Sequence, residues 1–145
     1  MWTILKFEKK SLGLLKEDLK KKLGSDFKIY IPKIRIQKYK NNKLIDKEFN
    51  LLGDYLFCFH KNLESKSIIN SLRFLRGLKY FLDGLVESQR DIEKFIEKCK
   101  ESECEKGFLS REFFDLNINT KYRFSSGPFT DKIFHIIDLQ KNRIK

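Results

Sequence analysis

The chain has 145 residues, 41% hydrophobic and 14% aromatic, with fourteen phenylalanines. That is enough apolar volume for one packed domain, or one domain with a small appendage, and it excludes a disordered polymer. The formal net charge of +11 predicts attraction toward phosphate backbones or acidic protein surfaces. Yet there is no alanine, and 24 lysines stand against 7 arginines. This is the skew of AT-rich coding sequence, in which a single lysine reads as solvated surface before it reads as a footprint.

Met1–Phe7 opens on alternating β-formers and is followed at once by Glu8, Lys9 and Lys10, unlike a signal peptide. No apolar run approaches the roughly 20 residues that span a bilayer. The three cysteines, Cys58, Cys99 and Cys104, are odd in number and lack CxxC spacing. Cys58 lies in an apolar run and reads as a small core residue, and the expected compartment is the cytoplasm.

Trp2–Phe7 reads as a first strand. Ser11 is placed to cap a helix that Gly24 ends, with Leu12, Leu15, Leu19 and Leu23 on one face. Phe27, Ile29 and Ile31 alternate as a second strand, which Pro32 interrupts as at an edge or bulge. Ile34 and Ile36 resume the alternation, and Lys40-Asn-Asn-Lys43 is a polar hairpin turn. After Gly53-Asp54, the continuous apolar run Tyr55–Phe59 has the character of a buried central strand. Ser67–Leu75 reads as a short helix, broken by Arg76-Gly77 before a strand over Leu78–Leu82. Ser88 with Asp91 resembles a capping box for a helix that buries Ile92, Phe95, Ile96 and Cys99.

This order predicts an α+β fold, an antiparallel sheet of about four strands with packed helices over residues 1–100. Residues 101–119 read as a charged linker. Residues 120–145 change style to two strand-like runs around Gly127-Pro128.

Four ordered stretches resemble the NusG family of transcription elongation factors. They are Trp2-Thr-Ile-Leu with Ile29-Tyr-Ile-Pro32, Phe49-Asn-Leu-Leu-Gly-Asp-Tyr-Leu-Phe57, Arg76-Gly-Leu-Lys-Tyr-Phe-Leu82, and Tyr122-Arg-Phe-Ser-Ser-Gly-Pro-Phe129 with Ile133–Leu139. The last resembles the start of a KOW motif, so the resemblance implies a NusG-like N-terminal domain followed by an incomplete SH3-like KOW β segment. Two departures stand out: family members carry proline where this chain has Gly53, and the glycines expected after Gly127-Pro128-Phe129 are missing.

The resemblance implies that Leu52, Tyr55, Phe57 and Phe81 bind the clamp helices of the largest subunit of RNA polymerase, because a few buried aromatics carry most of an interface. It also implies that Lys9, Lys10, Lys16, Arg73 and Arg76 approach nucleic acid near the transcription bubble, the lysines through phosphates and Arg76 through a base. A termination factor or ribosomal protein is the further partner that a complete KOW domain would recruit. The expected protein is a monomer without cofactor, metal or membrane, acting on elongation, pausing or antitermination.

Catalytic signatures are missing from the sequence. His60 and His135 are isolated, and no phosphate loop, GxSxG elbow or Cys-His pattern occurs, so a non-enzyme is expected. The rival reading is a general nucleic-acid-binding module, ribosomal or RNA-binding, that needs no polymerase and binds naked strands in a salt-dependent way.

Overall fold

A computed structural model describes residues 1–109 and 128–144. It is a mixed α+β structure with an antiparallel four-stranded sheet and a separate two-stranded sheet. The chain divides into two compact units, Met1–Ile31 with Asp54–Arg90, and Pro32–Gly53 with Asp91–Lys145.

The first unit holds β1 (Trp2–Phe7), α1 (Leu12–Leu23), β2 (Lys28–Tyr30) and, after the second unit's hairpin, β5 (Tyr55–Phe59), α2 (Lys66–Ser71) and β6 (Leu78–Phe81). Its strands lie in the order β2-β5-β1-β6, every neighbour antiparallel. Each helix therefore links two strands that have a third between them, and the two split β-α-β units interleave.

Strand alternation sends Leu5, Phe7, Leu56 and Cys58 to one face, where they form a buried cluster with Leu15 and Leu19 of α1, Leu63 and Leu72. Burial pushes the Cys58 thiol up to about 12, in keeping with a core residue. α1 ends as its sequence suggests. Gly24 adopts φ +85°, its N–H donates to the Lys20 carbonyl at 2.9 Å, and Lys20, Lys21 and Lys22 face the negative end of the helix dipole.

Ser11 occupies the N-cap position of α1 without making a side-chain cap bond. α2 is shorter than the expected Ser67–Leu75 and is capped by Ser65, whose hydroxyl accepts from the Ile68 N–H.

The second unit contains the hairpin β3 (Lys33–Lys40) and β4 (Lys43–Asn50), in register from Lys33 opposite Asn50 to Lys40 opposite Lys43. Asn41 and Asn42 take φ +53° and +63°, the paired left-handed conformations of a tight type I′ turn that matches strand twist. Leu109 lies alongside β3 as a parallel bridge to Ile34, its N–H donating to Lys33 and its carbonyl accepting from Arg35.

α3 (Gln89–Glu101) begins at the end of the first unit and buries Ile92, Phe95, Ile96 and Cys99 in the second, as its 3.6-residue period predicts. At the C-terminal end the structure corrects the expected KOW strands: Pro128–Ile144 is a helix, α4. Pro128 stands in its first position, where a missing N–H costs nothing. Phe129, Ile133, Phe134, Ile136 and Ile137 are buried, and Phe129 meets Phe95 edge-on at 6.0 Å. The β-branched and aromatic content suggested strand. The spacing of these residues is helical, and burial of one face overrides propensity. The rest of the expected linker and β segment, 110–127 and residue 145, lies outside the described residues.

Gly53 accounts for the missing proline. Its φ is +61°, which a pyrrolidine ring cannot reach, and an added Cβ would stand 2.5 Å from the Gln140 side chain.

Candidate interaction face

The four-stranded sheet has a second face, opposite the helix-covered one, and its composition is different. Directly opposed residues share a face, so the register writes three rungs across the strands: Lys28–Phe59–Trp2, Tyr30–Phe57–Ile4, and Tyr55–Lys6–Tyr80. Six of these nine residues meet in ring contacts along β2, β5 and β1 or across β5 and β6. Trp2 is edge-on to Phe57 at 6.4 Å and tilted on Phe59 at 5.3 Å, and Tyr30 stacks on Phe57 at 6.4 Å.

The third rung is the polar one. The Tyr55 and Tyr80 hydroxyls share a 2.9 Å hydrogen bond, with their rings 6.4 Å apart. The Lys6 ammonium lies 5.5 Å from the Tyr55 ring and 5.8 Å from that of Tyr80, within cation–π range. Burial, and then the bond with Tyr80, push the Tyr55 phenol up to about 12. The Tyr55 hydroxyl therefore stays neutral over the physiological range.

Trp2 is held at the end of β1 by Gln89. Where β6 has ended, the Gln89 side-chain amide accepts from the Trp2 N–H at 2.6 Å and donates to its carbonyl at 2.7 Å. It thus takes over the pairing a longer strand would supply.

Of the residues expected to meet the polymerase, Tyr55 and Phe57 are brought together on this face. Tyr55 is half-buried. Phe57 is fully buried, so it supports the surrounding rings and offers no surface of its own. Phe81 lies on the other face, packed against the helix-side core. Leu52 belongs to the second unit and is 0% exposed. Tyr80, Lys6, Trp2, Phe59, Tyr30 and Lys28 were not singled out from the sequence. The alternation Trp2-Ile4-Lys6 and Tyr55-Phe57-Phe59 was the available signal, and it becomes readable once the strand pairing is known.

Of the residues expected to meet nucleic acid, Lys9, Lys10, Lys16 and Arg73 are exposed. Lys9 stands 3.8 Å from Asp54. Arg76 is half-exposed and ion-paired. Its guanidinium forks onto Asp18 of α1 at 2.7 and 3.1 Å, while its own N–H donates to the same carboxylate at 3.0 Å. These bonds hold the Asp18 carboxyl down to about 2. Next to it, Gly77 has φ +81° and passes so close to α1 that a Cβ would lie 2.7 Å from the Ser11 carbonyl. Arg76 therefore fastens the α2–β6 turn to α1.

The His60 ring is 1% exposed. Its Nδ1 accepts from the Asn62 N–H at 3.0 Å, which leaves the proton on Nε2, 3.1 Å from Asp26. Among the described residues, no group of three His, Cys, Asp or Glu side chains gathers to hold a metal. No helix among them is long and apolar enough to cross a membrane.

No family model matches the chain, and no curated protein matches it either.

Proposed function

We propose that this chain is a NusG-like transcription factor that binds RNA polymerase through the aromatic face of its four-stranded sheet and modulates elongation, pausing or antitermination. The observation that carries this reading is the Tyr55–Lys6–Tyr80 rung beside a bed of aromatic rings. Such a surface joins apolar area to phenolic hydroxyls and a cation, as an anchor for an amphipathic helix pair requires. The ordered resemblance of Trp2-Thr-Ile-Leu, Ile29–Pro32 and Tyr55-Leu-Phe57 to the family supplies the identity of the partner.

In this reading no covalent chemistry occurs. Preferential binding to the elongating polymerase shifts its population away from the paused state. The protein acts in the cytoplasm as a monomer. Arg76 is an anchor of the domain, and any approach of Lys9, Lys10, Lys16 and Arg73 to nucleic acid is through phosphates.

A pull-down of purified RNA polymerase tests the reading, with wild type beside a Tyr55→Ala, Tyr80→Ala double variant whose fold is verified by circular dichroism. Wild-type capture that survives high salt and falls at least about tenfold in the folded variant is the expected result, since two interface anchors are each worth roughly 2 kcal/mol. Equal capture by both proteins, or none by wild type, overturns it.

A further inference from the structure

We propose that the tip of the β3–β4 hairpin binds a single strand of nucleic acid, stacking a base on Tyr39 and holding the flanking phosphates with Lys40 and Lys43. This site is separate from the polymerase face and needs no polymerase.

Three features of the tip converge. On the last rung Lys40 and Lys43 are directly opposed, and like charges at that position destabilise a ladder unless an anion lies between them. The next rung pairs Tyr39 with Leu44, 81% and 53% exposed. An aromatic ring and an aliphatic neighbour are thus kept in water at the end of a ribbon, where they contribute little to the fold. The turn that presents them is a tight two-residue one, with Asn41 and Asn42 both at positive φ. The side chains therefore stand on fixed rungs, and less ordering entropy is lost on binding.

Charge supplies the choice of partner. Between residues 38 and 45 there is no acidic side chain. The hairpin's acids, Asp46 and Glu48, lie nearer its base, and Asp46 is taken up by an ion pair with Arg35. Asp46 is accordingly held below the usual carboxylate range, first by its bond from Arg35.

The ring supplies the choice of strand. Bases within a duplex are already stacked on both faces, whereas an unpaired base offers an open face to Tyr39. Tyr39 and Lys40 leave opposite faces of the ribbon, and the four-carbon stems of Lys40 and Lys43 let their ammonium groups reach around the turn to the same strand.

The test is fluorescence anisotropy of the protein alone with labelled oligo-dT, oligo-U and a duplex, each about 16 nucleotides long, the upper range for one small site. Salt is varied between about 50 and 200 mM. Wild type is expected to prefer single strands to duplex.

Tyr39→Ala should weaken single-strand binding at least about fivefold, the lower end for stacking on one aromatic ring. Tyr39→Phe should remain within about twofold, because the ring is kept. Lys40→Gln with Lys43→Gln should flatten the slope of log affinity against log salt by about 1.4, since each phosphate contact to a single strand contributes about 0.7. All the substituted positions are exposed, and thermal melts are expected to coincide with wild type. A preference for duplex, absence of binding, affinity unchanged in Tyr39→Ala, or an unchanged salt slope in the lysine variant each overturns the proposal.

Discussion

The two faces of the four-stranded sheet are made from the same strands, residue by residue in alternation, yet they are built for different surroundings. One carries Leu5, Phe7, Leu56 and Cys58 against the leucines of α1. Apart from the Cys58 thiol, these side chains bring no polar atom. The other carries Trp2, Ile4, Tyr30, Tyr55, Phe57, Phe59 and Tyr80 with Lys6 and Lys28; its three tyrosines end in hydroxyls, and the two lysines set ammonium groups beside the rings. A face intended only for closure gains nothing from such polar tips, because each would need a partner inside the core. A face that meets another molecule uses them for orientation and specificity.

The largest test of this contrast is stability. Leu56→Ala should cost about 2–5 kcal/mol in a denaturant titration, as for a fully buried leucine. Tyr80→Ala, at a position 46% exposed, should cost within about 1 kcal/mol. Similar losses at both positions would break the distinction between the faces.

A smaller effect sharpens the helix-covered side. The folded-state pKa of Asp18 is about 2 against an ordinary 3.8. The Arg76 pair therefore contributes stability above the ordinary value, and loses that contribution as pH falls through the folded one. The stability difference between wild type and Asp18→Asn should shrink on acidification through this interval. A difference that does not change with pH would remove Asp18 from that role.

The smallest effect belongs to the aromatic face. Ultraviolet titration should find Tyr55 ionising well above the ordinary 10.0, near 12. Tyr80→Phe should lower that value without restoring 10.0, because burial is the larger cause and the lost hydrogen bond the lesser one. No change in the Tyr55 titration would mean that the two hydroxyls are not paired.

Much of the fold was legible from local pattern. The alternation of Trp2–Phe7, the leucine stripe ended by Gly24, the Asn41-Asn42 turn and the period of Ile92, Phe95, Ile96 and Cys99 each encode their own element. What local pattern lacks is phase between strands. Leu78 and Tyr80 have the same parity, and simple alternation would place both on one face. Between Lys6 and Phe7 the register shifts, so that Lys6 opposes Tyr80 while Phe7 opposes Leu78. The extra residue, Lys79, flips the strand. For that reason Tyr80 reaches the aromatic face and Phe81 the helix-side core, the reverse of what the sequence resemblance suggested for Phe81. α4 is ambiguous in sequence for a different reason. Isoleucine and phenylalanine fill strands and buried helix faces equally well, and in Pro128–Ile144 only the spacing distinguishes the two.

The interleaving of strands also sets a condition on synthesis. β1 and β2 are made first, but neither can pair with the other, because β5 must lie between them. β1 ends at Phe7 and β5 at Phe59. At about 5–20 residues per second, the first strand leaves the ribosome roughly 3–10 s before its central partner is complete. The hairpin made in the interval closes through its own local turn, whereas Trp2, Ile4 and Leu5 wait in water with both strand edges unpaired. The aromatic end of the chain is therefore the segment most in need of protection on the nascent protein.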